Sequence, residues 1–174
     1  MIYSHIFKKQ NRGFTLIELL VVVAIIGILS TVSLISLNSV RGRGRDTKRI
    51  TELKEIQKAL FLYYADNNKY PVEPNGIYLG STPSQIEQQP RICLSNNGFK
   101  TTCSSLTDSI IYMNPLPIDP FINDAEYYYQ YTSNNGETYG IDFALEVGNK
   151  NIVAGPNCLK PENIIAGSCI GENP

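Results

Sequence analysis

Between Phe14 and Leu37 the chain runs for twenty-four residues with a single charge, Glu18. At about 1.5 Å per residue, a helix over this run reaches about 36 Å, against a hydrocarbon core of about 30 Å. A buried strand would be far shorter, and the buried helix of a soluble domain is rarely apolar on every face. The run is therefore expected to cross a membrane. No comparable run follows, which argues against a multi-span membrane protein. With 43% hydrophobic and 18% charged residues the chain is not a disordered one. Its net charge of −1 gives no global sign of a nucleic-acid binder.

Lys8, Lys9 and Arg12 precede the run, as in a secretory signal. The apolar stretch exceeds the roughly 7–15 residues such signals use, and no A-x-A-like site follows it. A plain signal anchor explains everything except Glu18. A carboxylate in a membrane helix costs roughly 2.5–3.5 kcal/mol near the bilayer centre, less towards an end, and usually has a functional partner. At the fifth position of the run, Glu18 either snorkels to water or meets such a partner, and energetics alone leave both open.

The motif decides more. Arg12-Gly13-Phe14-Thr15-Leu16-Ile17-Glu18-Leu19-Leu20 closely resembles the processing and methylation signature of type IV pilins and type II secretion pseudopilins. The resemblance is specific over residues 8–37 and loose beyond. It implies that a prepilin peptidase cuts between Gly13 and Phe14 on the cytoplasmic side and then N-methylates Phe14. Gly13 has a physical logic, since a residue without a side chain enters a tight protease site. Cleavage leaves 12 basic and 16 acidic residues, a net of −4. It also creates an amine on Phe14, which in family filaments is thought to meet the Glu18 carboxylate of a neighbouring subunit. Opposite charges attract strongly in a low dielectric, so such a pair rewards one axial register. Arg41, Arg43, Arg45, Lys48 and Arg49 follow the run, opposed by Asp46. The positive-inside rule is thus ambiguous or even unfavourable, and only the resemblance supports an N-inside helix.

Beyond the run, Asp46 to Asp66 reads as a helix. Ile50, Leu53, Ile56, Leu60 and Tyr63 recur at spacings of three and four. Gly42 and Gly44 are expected to loosen the helix before it, and Asp66-Asn67-Asn68 with Pro71 to stop it. Residues 14–65 would make a spine of about 78 Å. The Arg41–Arg49 cluster is expected to face anionic headgroups, or acidic groups of adjacent subunits in a filament. Lacking interleaved aromatic residues, it gives little ground for DNA as a partner.

Residues 70–174 hold the prolines and all four cysteines. Glu126–Thr132 and Thr138–Glu146 read as a hairpin around Ser133-Asn-Asn-Gly-Glu137, with Asn151–Ala154 as a third strand. Half of the tyrosines at 127–131 should pack inward. The expected fold is α+β, pilin-like: a long N-terminal helical spine, half transmembrane, on a small antiparallel head. The domains are a removed leader 1–13, a transmembrane and filament-core helix 14–40, its amphipathic continuation 41–69 and the head 70–174. Pro117-Ile-Asp-Pro-Phe121 with Tyr127–Tyr129 faintly resembles a stretch of major pseudopilins, which also carry a later Asp-rich calcium loop. Here the equivalent Glu146-Val-Gly-Asn-Lys150 lacks the acids. Asp119, Asp124 and Glu126 are the candidate calcium ligands, but no acid-and-Gly loop spacing is present, and turn capping is the plainer role. No other cofactor is expected.

An even cysteine count in the exported part suggests disulfides. Of three connectivities, the local one, Cys93–Cys103 and Cys158–Cys169, is chosen; pilins often carry such a C-terminal loop. The sole histidine, His5, lies in the leader, so no Ser-His-Asp or Cys-His arrangement exists in a mature chain and no enzyme is expected. The resemblance implies a structural pilus subunit that polymerises with copies of itself for adhesion, motility or uptake. It implies prepilin peptidase, an inner-membrane platform protein, an assembly ATPase and minor pilins as partners. The precursor would sit in inner-membrane lipid and the filament outside the cell. The alternatives are a type II secretion pseudopilin, or a signal-anchored exported binding domain that never polymerises.

Overall fold

A computed structural model describes residues 13–80, 89–104, 110–121 and 127–169, without the side chains of 32–36. One helix, α1, takes in Leu16–Asn67. The chain divides into two compact units, Met1–Ser39 and Val40–Pro174.

In the first unit the described side chains from Phe14 to Thr31 are exposed on every face of the helix, Leu16 at 81%. Its hydroxyls are satisfied internally: Ser30 Oγ donates to the Ile26 carbonyl (2.7 Å) and Thr31 Oγ1 to that of Ile28 (2.8 Å). This back-bonding leaves no free hydroxyl donor on those two residues, as an apolar medium demands. Among the described residues no helix is long and apolar enough to cross a membrane. The expected span, 14–40, includes residues 32–36, whose side chains lie outside the described ones. The leader lies outside them up to residue 12.

In the second unit α1 lays Leu53, Ile56, Ala59, Leu60 and Tyr63 into the core, with Ile50 packed at its edge. The stripe reads as its spacing predicts. The helix stops where Asn68 turns left-handed (φ 55°) and its N–H reaches back to the Tyr64 carbonyl at 2.8 Å.

Two antiparallel sheets complete the head. The larger joins β1 (Glu73–Leu79), β5 (Tyr129–Ser133), β6 (Gly140–Leu145), β7 (Gly155–Leu159) and β8 (Ile164–Ala166) in the order β1-β5-β6-β7-β8. The smaller joins β2 (Cys93–Ser95), β3 (Gly98–Lys100) and β4 (Ile111–Met113) as β3-β2-β4. Tyr129 and Tyr131, two apart on β5, are fully buried, while Tyr127 and Tyr128 before the strand are half-buried.

Two expectations are corrected. The helix runs through Gly42 and Gly44 rather than loosening there. Gly42 is needed for another reason: a Cβ on it would lie 2.9 Å from Val147 Cγ2. The third strand begins at Gly155, not Asn151. Asn149 Oδ1 accepts from the Asn151 and Ile152 amides, and Asn149 N–H donates to the Ile152 carbonyl, folding 149–152 into a turn. Gly148 enters that turn at φ +72°, where a side chain would also strike the Ile152 carbonyl and the Ala154 amide.

Candidate functional site

The N-terminal end carries the expected processing site. Gly13 and Phe14 are exposed and precede the first helical residue, and nothing lies within 4 Å of a Cβ placed on Gly13. An exposed junction outside the helix, with no side chain on its first residue, suits entry into a protease. Two residues on, Thr15 and Glu18 form a reciprocal cap. Glu18 Oε2 accepts from Thr15 N–H (2.9 Å) and Thr15 Oγ1 (2.7 Å), and Glu18 N–H donates to Thr15 Oγ1 (3.3 Å). This is a capping box, which satisfies orphan donors of the first turn. Cutting at Gly13–Phe14 leaves the Thr15 amide intact, so the box survives processing. Its sequence sign is a Thr three residues before a Glu.

The basic cluster behaves differently from the expectation. Two of its arginines are taken by the chain's own head. Arg49 is fully buried; its Nε and Nη2 donate to Asp119 Oδ2 (2.8 Å) and Oδ1 (2.9 Å). Its Nη1 donates to Asp46 Oδ1 (2.8 Å) and Glu146 Oε1 (2.7 Å). Arg45 grips both oxygens of Glu146. Tyr127 faces the Arg49 guanidinium at 4.5 Å and Phe121 that of Arg45 at 5.1 Å. Burial opposes the charge on Arg49, but its Asp119 and Glu146 partners outweigh it and hold the guanidinium above its ordinary range. The Arg45 hydrogen bond in turn holds Glu146 below the usual carboxylate value. Lys48 lies 3.5 Å from Glu52 and, like Arg41 and Arg43, is exposed. These three fit the expectation of a cluster facing outward.

Asp46 carries a second role. Its Oδ1 accepts from the Glu146 amide (2.9 Å) and its Oδ2 from those of Val147 (2.8 Å) and Gly148 (2.9 Å). Successive amides pointing inward make an anion cradle, and Asp46 fills it.

This bears on calcium. Both oxygens of Asp119 are engaged by Arg49, and Oδ1 also accepts from Phe121 N–H (2.8 Å). The 146–148 stretch offers N–H donors, the wrong polarity for a cation. The described residues of these two segments therefore do not fit a calcium ion. Asp124 and Glu126 lie outside the described residues.

Cys93 bonds Cys103 and Cys158 bonds Cys169. The second bridge ties the stretch after β8 to β7. There Asp142 Oδ1 accepts from Ser168 Oγ (2.8 Å) and from the Cys169 amide.

The matching family model is the prokaryotic N-terminal methylation motif, over residues 8–34. A type II secretion system core protein G of Pectobacterium carotovorum is 30% identical over 82 residues, 47% of this chain and 53% of that protein. The chain thus spans about half the length of that relative. A type II secretion system core protein G of Escherichia coli K12 is 30% identical over 115 residues, 66% of this chain and 70% of that one. The type IV wide pilus major component PilA4 of Thermus thermophilus is 40% identical over 81 residues, 45% and 62%. No solved structure matches. The likeness to the Escherichia coli protein carries well past the methylation motif, and with the motif standing at the head of a capped helix the chain belongs to the family of type IV pilins and type II secretion pseudopilins.

Proposed function

We propose that the chain is a structural subunit of a type IV pilus, built into a helical filament through its N-terminal helix. One observation carries this reading: a helix exposed on every described face from Leu16 to Thr31 and apolar there but for the capped Glu18 and the back-bonded Ser30 and Thr31. Such a surface needs lipid before assembly and the same helix of other copies afterwards. Stacking by a rotation that does not close gives a filament. On this reading prepilin peptidase releases Phe14 and methylates it, and a platform protein, an assembly ATPase and minor pilins complete the machinery. The pool before assembly sits in the inner membrane and the filament on the cell surface. The role is mechanical, without catalysis.

A second reading, a type II secretion pseudopilin, draws on the core proteins G among the relatives. Against it stands the stretch Glu146–Lys150, which holds one acid rather than the Asp-rich set of a calcium loop. Intact mass with and without active prepilin peptidase tests the family chemistry. A chain starting at methylated Phe14 is expected, and retention of Met1 beside active peptidase overturns it. Deleting the gene then separates the two: loss of sheared surface filaments supports the pilus, and loss of secreted enzymes with filaments unchanged supports the pseudopilin. An uncleaved chain indifferent to Glu18 substitution points to an anchored binding domain.

A further inference from the structure

Three carboxylates from three separate segments converge on one guanidinium. Asp46 comes from α1, Asp119 from the segment before Phe121, and Glu146 from the end of β6. With Arg45 the cluster holds two positive and three negative charges, and none of it sits on the chain's outer basic face. The excess negative charge falls on Asp46, where three backbone amides meet it. Four of the five N–H directions of Arg49 are engaged, three of them on the two loops, and Arg45 and Asp46 add their own bonds to the 146–148 stretch.

Gathering carboxylates from distant loops around one positive centre is the task a divalent ion performs in many small domains. Here the centre is covalent. We propose that Arg49 is the resident cation of the head, holding the 117–121 and 146–150 segments on the helix in the place where a divalent ion would otherwise be required. A calcium ion needs six to eight oxygens and tolerates water among them. The guanidinium instead sits dry, with its fork matched to Asp119, and leaves no oxygen of Asp119 free. Folding of the head then draws on no metal, and the subunit keeps its shape in calcium-poor surroundings. This inference does not rest on the filament reading, since its readout is the stability of a single subunit.

The test is thermal unfolding of the full chain in detergent, followed by near-ultraviolet circular dichroism in EGTA and in millimolar calcium. The wild-type midpoint is expected to be the same in both. Arg49→Gln, which leaves the three carboxylates converging on a neutral group, is expected to unfold earlier in EGTA and to shift upward when calcium is added. Arg49→Lys keeps the charge but loses the fork, so it should unfold earlier than wild type and ignore calcium. Its folding supplies the comparison if Arg49→Gln does not fold. A wild-type midpoint that drops in EGTA, with the drop abolished by Asp119→Asn, overturns the proposal. So does an Arg49→Gln chain as stable as wild type, or one whose midpoint calcium leaves unmoved.

Discussion

Arg49 and Asp119, seventy residues apart, form a two-pronged ion pair with both side chains at 0% exposure. Such a pair adds little over an apolar filling, but removing one partner strands a buried charge. Asp119→Ala is therefore expected to destabilise the head by about 3 kcal/mol, towards the lower end of the usual range because Asp46 and Glu146 still hold Arg49. Denaturant unfolding of the full chain checks this. Asp119 also caps the turn at Phe121, so Asp119→Asn, which keeps an acceptor there, should lose less.

Gly42 and Gly44 invite the same substitution with opposite results. Both lie inside α1, where alanine is favoured over glycine by about 1 kcal/mol. Nothing lies within 4 Å of a Cβ on Gly44, so Gly44→Ala should raise stability by roughly 0.5–1 kcal/mol. A Cβ on Gly42 meets Val147 at 2.9 Å, beside the cradle that holds Asp46. Gly42→Ala is expected to lose the propensity gain and end about 1 kcal/mol below wild type. Matched melting curves of the two variants decide it.

That pair also shows how far a sequence carries. Leu53, Ile56, Leu60 and Tyr63 were legible because a helix face repeats every three to four residues, and β5 with β6 because Tyr139, Ile141, Phe143 and Leu145 alternate. The start of β7 was missed because Ile152 and Val153 look strand-like, while Asn149 spends its side chain closing a turn over them. Strand β1 hid behind Pro74, Asn75 and Gly76, which sit where its register shifts against β5. Strands β2 to β4 are three residues each, too short to show a period. Arg49 was read as one more cation at a membrane edge. Its local partner Asp46 does not tell a buried arginine from an exposed one, and the others lie 70 and 97 residues away.

Acid should loosen the Arg45–Glu146 end of the cluster in a defined window. The folded chain holds Glu146 below its ordinary 4.5, first through the Arg45 hydrogen bond. A depressed carboxylate contributes stability that is fully present above about pH 4.5 and is lost as pH falls through the folded value. Arg45→Gln should lower stability at neutral pH and flatten this acid limb, so that variant and wild type converge in acid. Unfolding midpoints across the range from neutral to strongly acidic pH test this; parallel curves down to the lowest pH would remove Glu146 as the titrating group.

Asp142 should act with the opposite sign. Burial raises its carboxyl above the ordinary 3.8, and its Oδ2 has no partner among the described residues. A raised carboxyl penalises the folded state above its folded value, and the penalty fades as pH falls towards 3.8. Asp142→Asn keeps an oxygen for Ser168 and Cys169 while removing the charge. It is expected to be at least as stable as wild type at neutral pH and to lose that advantage in acid. A variant that is less stable at neutral pH would mean the ionised form is needed to hold the Cys158–Cys169 loop.

The Thr15–Glu18 cap separates two roles that a single alanine substitution confuses. Glu18 Oε2 is occupied by Thr15, whereas a carboxylate offers about four acceptor directions over its two oxygens. The cap can therefore coexist with a charged partner such as the Phe14 amine of another copy. Glu18→Gln keeps a side-chain oxygen for the cap and loses the charge; Thr15→Val loses the hydroxyl of the cap and keeps the charge. If charge pairing sets the register of assembly, Glu18→Gln should bring sheared filaments down to background while leaving processing at Phe14 intact, and Thr15→Val should still assemble. Filament yield from cells carrying each variant, with intact mass to confirm cleavage, makes the distinction. Normal yield from Glu18→Gln beside lost yield from Thr15→Val would assign Glu18 to capping its own helix and remove it from the contact between subunits.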